Sequence, residues 1–272
     1  MPNSLRINEI DWHYEIDGDG ECLLFIHGWG VDKKIWRQQF KYFSLEYKVL
    51  AVDLPGHGNS SWHKVSLVRM ASDLRFLLNK IGISEVTIIG SSLGGLLAIR
   101  FYEQFPLMVR KLVLVGTLPK FARSEDFPSG MDIERMKKIR QQIITDYPAV
   151  MHIFFRSLFT KEERQTRRYH WIKRFRRDTI FPPQPTLMEY LDILEKEDLR
   201  EVLRQIGCPL QFIAGSGDYI CNQAVVSSVK ELVPGARFDI FDGCGHFPFL
   251  SRPYEFNDVL SSFLKGKIWE QK

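Results

Sequence analysis

Short apolar runs recur along the chain, and each is followed by glycine or by other turn-forming residues. Four such runs occupy residues 22–26, 49–52, 86–89 and 112–115. Runs of this length that are rich in aliphatic residues are typical of parallel strands buried on both faces. The first twenty residues alternate loosely between apolar and polar positions and end in the sequence DGDG, which predicts an antiparallel hairpin at a sheet edge.

Helical patterns separate these runs. Apolar residues recur at three- and four-residue spacing over residues 65–81 and 92–104. Near the C-terminus the same alternation predicts strands at 210–214 and 237–241 and helices at 222–232 and 253–265. Alternating strands and helices predict a doubly wound α/β sheet with helices on both of its faces.

One long segment interrupts this alternation. Between residue 118 and about residue 197 there is no run of the buried-strand type, only helical patterns broken at Pro128, Pro148 and Pro182-Pro183. We therefore predict a core domain built from residues 1–117 and 198–272, with residues 118–197 inserted as a helical cap.

The composition supports a globular protein. At 272 residues and 44% hydrophobic, the chain can bury a sizeable core. Residues 1–20 lack the basic and apolar regions of a secretory signal, and no stretch approaches the roughly 18 apolar residues of a membrane span. The four cysteines lack the close pairing of a zinc site. We expect a cytoplasmic monomer with reduced thiols, no metal, no cofactor and no binding to nucleic acid or membrane.

The charge of the chain is distributed unevenly. The formal net charge is only +4, but residues 120–177 contain fifteen Lys or Arg against seven Asp or Glu. A local excess of one sign indicates an acidic partner or substrate for that segment.

The sequence Gly90-Ser91-Ser92-Leu93-Gly94 directly follows a predicted strand and directly precedes a predicted helix. This context is typical of a nucleophile elbow, a sharp turn that presents a serine hydroxyl above the sheet. Ser92 occupies the nucleophile position, whereas Ser91 occupies a variable position and is predicted to pack beside the elbow.

A serine hydroxyl needs a base, and the base needs a carboxylate that fixes its tautomer. His246 and Asp218 each follow a predicted strand, on the sequences GCGH and GSGD, and the order Ser, Asp, His is the one that such elbows use. His27 and His57 lie in tight glycine turns and are predicted to shape the backbone. Asp192 and Asp198, the alternative carboxylates, fall in a helical, charge-rich stretch.

An oxyanion hole requires two donors. The backbone N–H of Leu93 follows the nucleophile, and the backbone N–H of Trp29 lies in the sequence HGWG after an earlier strand. We predict that these two amides face each other across the pocket.

The combination of HGWG, DLPGHG, GSSLGG, GSGD and GCGHFPF resembles the α/β-hydrolase superfamily over nearly the whole chain. The resemblance implies an eight-stranded, mostly parallel sheet with helices on both faces and a helical cap inserted after the sixth strand. Haloalkane dehalogenases and epoxide hydrolases of this superfamily use an aspartate nucleophile, and Ser92 argues against both.

Within the superfamily, the chain resembles the pimeloyl-acyl-carrier-protein methyl ester esterases of biotin synthesis. The similarity lies in LFIHGWGVDKKIW, VDLPGHGNS and two stretches at the ends of the cap, FARSEDFP at 121–128 and LDIL through DLR at 191–200. One departure is Ser91, where a tryptophan is expected, and it affects the shape of the pocket.

That family acts on an ester carried by an acidic carrier protein. Residues 164–177 contain seven basic side chains and no acidic one, and a helix would gather Arg164, Arg167, Arg168 and Arg174 on one side. The resemblance implies that these arginines bind an acidic acyl carrier protein, while a solvated positive face is the alternative.

The motifs therefore predict a serine hydrolase that acts through an acyl-enzyme, and the resemblance implies a carboxylesterase that hydrolyses the methyl ester of pimeloyl-acyl-carrier protein. Two alternatives stay open. One is a broad-specificity carboxylesterase, thioesterase or carbon–carbon bond hydrolase that uses the same three residues on a small-molecule ester. The other is a non-catalytic ligand receptor that keeps the hydrolase fold.

Overall fold

The computed structural model describes residues 3–175 and 180–266, and these contain one eight-stranded sheet. The strand order across the sheet is β1-β2-β4-β3-β5-β6-β7-β8. The strands are β1 Asn3–Ile7, β2 Ile10–Asp17, β3 Cys22–Ile26, β4 Lys48–Val52, β5 Val86–Ser91, β6 Val109–Val115, β7 Leu210–Gly215 and β8 Arg237–Phe241.

The sheet is mostly parallel. β1 and β2 form the antiparallel hairpin predicted at the edge, with Asn3 opposite Tyr14, and β2 pairs antiparallel with β4. All remaining pairs are parallel. Every residue of β3, β5 and β7 is buried, as the apolar runs predicted for central strands covered on both faces.

Helices connect the strands of the core. They are α1 Arg37–Phe43, α2 Leu67–Lys80, α3 Leu93–Gln104, α7 Arg200–Arg204, α8 Gln223–Leu232, α9 Pro248–Ser251 and α10 Pro253–Lys265. α1 packs on α10, and α2 packs on α3. Side chains at the helix starts explain two of the boundaries, because Ser66 accepts the Arg69 amide before α2 and Asn222 accepts the Ala224 amide before α8.

The segment from 118 to 197 contributes no strand to the sheet over its described residues. It forms α4 Ile133–Ser157, α5 Arg167–Phe175 and α6 Gln184–Lys196. The Leu199 amide donates to the Pro119 carbonyl at 2.8 Å, so the chain leaves and re-enters the core at one place. We propose that residues 118–197 are the cap, with the limits that the sequence suggested.

The three proline breaks of the cap differ in their effect. Pro128 precedes α4 and Pro182-Pro183 precede α6, but Pro148 lies inside α4. There the helix kinks rather than ends, because the backbone leaves the helical conformation only at Asp146 and the proline lacks the N–H that a straight helix needs. Within the described residues, no helix is both long and apolar enough to cross a membrane.

A buried ion pair joins the turns after β3 and β4. The Lys33 ammonium lies 2.6 Å from the Asp53 carboxylate, and both side chains are almost completely buried. Asp53 also accepts the backbone amides of Lys33 and Asn59. These contacts fix the HGWG and DLPGHG turns against each other, and each charge depends on its partner for solvation.

We expect Lys33→Met to lower the free energy of unfolding by about 3–5 kcal/mol, because it leaves the Asp53 carboxylate buried without a counter-ion. Urea unfolding followed by circular dichroism measures this change. Lys41→Met removes an exposed lysine from α1 and should stay within about 0.5 kcal/mol of the wild type. A loss no larger than that of the control would contradict the assigned role of the pair.

Candidate active site

Ser92 occupies a strained turn between β5 and α3. Its backbone has φ 53° and ψ −115°, a left-handed conformation that costs a non-glycine residue about 1–3 kcal/mol. The strain is held by hydrogen bonds on both sides, since the Ser92 amide donates to Val115 O at 2.8 Å and its carbonyl accepts the Gly95 amide at 2.9 Å. The side chain is thereby fixed at the start of a helix, as the elbow motif predicted.

Two glycines allow the chain to pack around this turn. A Cβ on Gly94 would lie 2.5 Å from the carbonyl oxygens of Ile26 and His27, so only glycine fits against the end of β3. A Cβ on Gly28 would lie 3.3 Å from the Ser92 Cβ. The HGWG turn therefore lies directly beside the predicted nucleophile.

His246 and Asp218 form a buried pair at the ends of the last two strands. His246 Nδ1 lies 2.6 Å from Asp218 Oδ2, and the two residues are 2% and 3% exposed. The other carboxylate oxygen accepts the Ile220 amide at 2.8 Å, which fixes the orientation of Asp218. An ionised carboxylate at Nδ1 selects the tautomer that carries its proton there, so Nε2 is left as the basic nitrogen.

The imidazole lies beside the Ser92 turn. A Cβ on Gly116 would be 3.0 Å from His246 Nδ1 and Cε1, and Gly116 follows the residue whose carbonyl accepts the Ser92 amide. The hydrogen bonds of residues 3–175 and 180–266 do not include one between the Ser92 hydroxyl and the His246 ring. Contacts of this kind are commonly long before substrate binds and shorten in the substrate complex.

The two amides predicted for the oxyanion hole lie on the elements that flank Ser92. Leu93 is the first residue of α3, and the first amides of a helix have no partner within the helix. Trp29 follows Gly28 in the turn that contacts the Ser92 side chain. Both residues are buried, so a negative oxygen bound there would be shielded from water.

The side chains of His27 and His57 bind backbone amides rather than substrate. His27 Nε2 accepts the Leu54 amide at 2.9 Å, and His57 Nε2 accepts the Gly30 amide at 3.3 Å. Burial lowers the pKa of each imidazole to about 3, so both are neutral acceptors at ordinary pH. The prediction that they shape the backbone is confirmed, and the HGWG turn is locked in place by them.

The cap contacts the same turn from above. The Trp29 indole donates to Leu187 O in α6 at 3.1 Å, and its ring packs edge-on against Phe154 of α4 at 4.7 Å. The Tyr190 hydroxyl of α6 donates to Pro55 O at 3.1 Å. The cap therefore packs on both glycine-rich turns of the core, HGWG and DLPGHG. The sequence did not predict this contact.

The four candidate carrier-binding arginines do not share one helical face, so that expectation is wrong. Arg164 lies in the 3-10 turn Glu163–Gln165, and α5 begins only at Arg167. Thr166 separates them because its backbone is extended and its hydroxyl accepts the Tyr169 amide, a helix-start signal that was present in the sequence.

The four arginines also have different environments. Arg164 donates to Arg156 O and Phe159 O at 3.3 and 3.1 Å. Arg168 is half-buried, donates to Leu250 O and to the Gln38 side chain, and lies over the Trp171 ring. Arg167 and Arg174 are exposed. Arg176 and Arg177, which completed the basic run, lie outside the described residues.

A basic cleft opens on the cap beside these arginines. Its volume is about 520 Å³, and its floor includes the rings of Phe155 and Tyr169. Among the polar residues that line it, only Arg164 was a candidate binding residue from the sequence, although Lys173 belongs to the same basic run. The others are His152, Arg156, His170 and Lys173, which come from two separate elements and so gave no pattern in the sequence.

The model of the α/β hydrolase fold family matches residues 21–253. The chain therefore belongs to the α/β-hydrolase family. Its sequence relatives include the pimeloyl-[acyl-carrier protein] methyl ester esterase of Nitrosomonas europaea, 32% identical over 90% of this chain and 96% of the relative. The esterase of the same name from Photobacterium profundum is 31% identical over 93% of this chain and 98% of the relative.

Solved structures support the fold. A bromoperoxidase from Bacillus anthracis matches with a TM-score of 0.88 and 25% identity, covering 98% of this chain and 100% of that one. An esterase from Exiguobacterium antarcticum matches with a TM-score of 0.88 and 23% identity over the same shares of the two chains. The predicted eight-stranded, mostly parallel α/β-hydrolase sheet is thus confirmed.

The buried histidines predict a specific acid sensitivity. The pKa of His57 is about 3 in the folded protein and near 6.5 in an unfolded chain, so stability from its burial is complete above pH 6.5 and is lost as the pH falls toward 3. His57→Gln keeps an acceptor for the Gly30 amide. We expect its free energy of unfolding to fall about 2 kcal/mol less than that of the wild type between pH 7 and pH 5.

Urea unfolding at the two pH values measures this difference. His63→Gln changes an exposed histidine and should show the pH dependence of the wild type. If the His57 and His63 variants behave alike, His57 is not held neutral by burial.

Proposed function

We propose that the protein is a serine carboxylesterase that hydrolyses the methyl ester of pimeloyl-acyl-carrier protein. The coarse activity, hydrolysis of a carboxylic ester, rests on family membership and on relatives that are named esterases. The observation that carries the mechanism is the buried His246–Asp218 pair, which lies beside the strained Ser92 turn. Three residues from distant parts of the chain then act as nucleophile, base and orienting carboxylate.

The reaction has two halves. His246 Nε2 takes the hydroxyl proton as Ser92 Oγ attacks the ester carbonyl, and the amides of Trp29 and Leu93 stabilise the oxyanion. The imidazolium, stabilised by Asp218, returns its proton to the departing methoxide, and methanol leaves. A water molecule, deprotonated by His246, then attacks the acyl-enzyme, which releases the free carboxylate and restores the Ser92 hydroxyl.

The cap supplies a surface for an acidic carrier. The cleft is lined by Arg156, Arg164 and Lys173, while Arg167 and Arg174 are exposed on α5, the helix that contributes Lys173. Complementary charge speeds encounter and is weakened by salt. Arg168 differs from these, because its guanidinium is bound to Leu250 O and Gln38, and we assign it to holding α5 on the core.

One observation favours the broader esterase as the second candidate. Ser91 stands where the carrier-ester esterases are expected to have a tryptophan, and here it is fully buried. A small residue at that position leaves the acyl pocket without the bulky side chain that the resemblance implied. A comparison of carrier-bound and free esters separates the two candidates.

Ser92→Ala should lower turnover of a short-chain nitrophenyl ester by at least about 10⁴-fold, because the variant lacks the hydroxyl that forms the acyl-enzyme. Release of nitrophenolate measures the activity of the variant, and a circular dichroism spectrum of the same preparation checks its fold. Ser91→Ala, the matched neighbour, should keep most of the activity. Turnover that persists in the Ser92 variant would contradict the assignment of Ser92 as nucleophile, whereas a wild-type protein without ester turnover would favour the ligand receptor.

Charge reversal tests the carrier surface. The double change Arg167→Glu and Arg174→Glu should raise KM for pimeloyl-carrier methyl ester about 10-fold or more at low salt, since like charges then oppose docking. Dimethyl pimelate, which has no carrier, should be turned over as by the wild type. Arg37→Glu, which changes an exposed residue at the start of α1 in the core, is the control. Equal effects on both substrates, or none on either, would favour the broad esterase.

A further inference from the structure

The loop that carries His246 is bound to the cap as well as to the core. The Gly245 amide donates to Glu163 Oε2 at 3.0 Å, and the His246 amide donates to Leu158 O at 2.8 Å. Two successive amides of the loop, including that of the predicted base itself, are therefore held by the segment between α4 and α5. Neither acceptor belongs to the core that supplies Asp218 and Ser92.

Glu163 is itself fixed by a reciprocal hydrogen-bond pattern. The Thr160 amide donates to Glu163 Oε2 at 2.6 Å, and the Glu163 amide donates to Thr160 Oγ1 at 3.2 Å. This is the capping box of a helix start, in which the glutamate carboxylate is normally satisfied locally. Here the same oxygen accepts a second amide, that of Gly245, so the capping turn also holds the loop that carries His246. We call this contact of Glu163 with the loop the clamp.

A third contact and the packing support the clamp. The Thr160 hydroxyl donates to Gly243 O at 3.3 Å, so the segment between α4 and α5 contacts the loop at three backbone positions: Gly243 O and the amides of Gly245 and His246. A Cβ on Gly245 would lie 2.3 Å from Leu158 O and 3.0 Å from Glu163 Oε2. The loop approaches the turn so closely that a displacement of one must be followed by the other.

We propose that Glu163 is a positioning residue that ties the position of the cap to the placement of the His246 ring over Ser92. The proposal rests on the proposed function, because it assigns His246 the role of base. Glu163 acts through the backbone of the loop and does not contact the substrate. Its effect is therefore on the rate of the chemical step rather than on substrate binding.

Glu163→Ala removes the shared acceptor. With a small nitrophenyl ester, which needs little of the cap, we expect kcat to fall about 10- to 100-fold with little change in KM, as a small misplacement of a catalytic group produces. Glu163→Gln keeps a carbonyl oxygen for both amides and should restore kcat to within about 3-fold of the wild type. Glu162→Ala, one residue earlier and exposed, is the matched control and should leave kcat unchanged.

Two further readouts separate positioning from general stability. The thermal midpoint of Glu163→Ala should stay well above the assay temperature, so the variant remains folded in the assay. The proton shared by His246 and Asp218 should give a far-downfield NMR signal in the wild type and in Glu163→Gln, and a shifted or broadened one in Glu163→Ala. If the alanine variant does not fold, Thr160→Val, which removes the hydroxyl partner of the Glu163 amide and Gly243 O, carries the same test.

The outcomes distinguish this proposal from the proposed function on which it rests. Wild-type kcat in Glu163→Ala, with Ser92→Ala inactive, would overturn the clamp and leave the triad intact. An equal loss of kcat in Glu163→Gln and Glu163→Ala would also overturn the clamp, because kcat would then not depend on the oxygen that accepts the two amides. An active Ser92→Ala would instead remove the function on which the clamp depends.

Discussion

The site depends on a steric constraint at the carboxyl ends of the central strands. The chain at Gly94 approaches the carbonyl oxygens of Ile26 and His27 to a distance that no side chain tolerates. This contact locks α3 against β3 and keeps Ser92 in a left-handed conformation that would otherwise relax. Because the HGWG turn takes part in the same contact, this packing positions both the predicted nucleophile, Ser92, and a predicted oxyanion donor.

A second layer of buried polar contacts stabilises the turns around this packing. The ion pair of Lys33 and Asp53 and the neutral imidazoles of His27 and His57 each bind backbone amides of the neighbouring turns. When the partner of such a buried polar group is missing, the free energy of unfolding falls strongly. These groups therefore specify one arrangement of the loops. The geometry at Ser92 therefore draws on residues that have no part in the proposed chemistry.

The sequence predicted the elements that local pattern determines. Strand ends, the elbow at Ser92 and the carboxylate and imidazole after β7 and β8 follow from short motifs, because parallel strands bring their carboxyl ends to one edge. The placement of the arginines was not predictable in the same way. Whether Arg164 and Arg167 share a helix depends on a single Thr166 cap, and the partners of Arg168 come from distant α1 and α9.

The proposed cap leaves and re-enters the core at one place, where the Leu199 amide donates to Pro119 O. Because the two ends of the insert are adjacent, its length can change without shifting the register of any strand of the sheet. The bonds from Leu158 and Glu163 to the His246 loop limit that freedom. A cap transplanted onto this core would have to bring its own acceptors for the amides of Gly245 and His246.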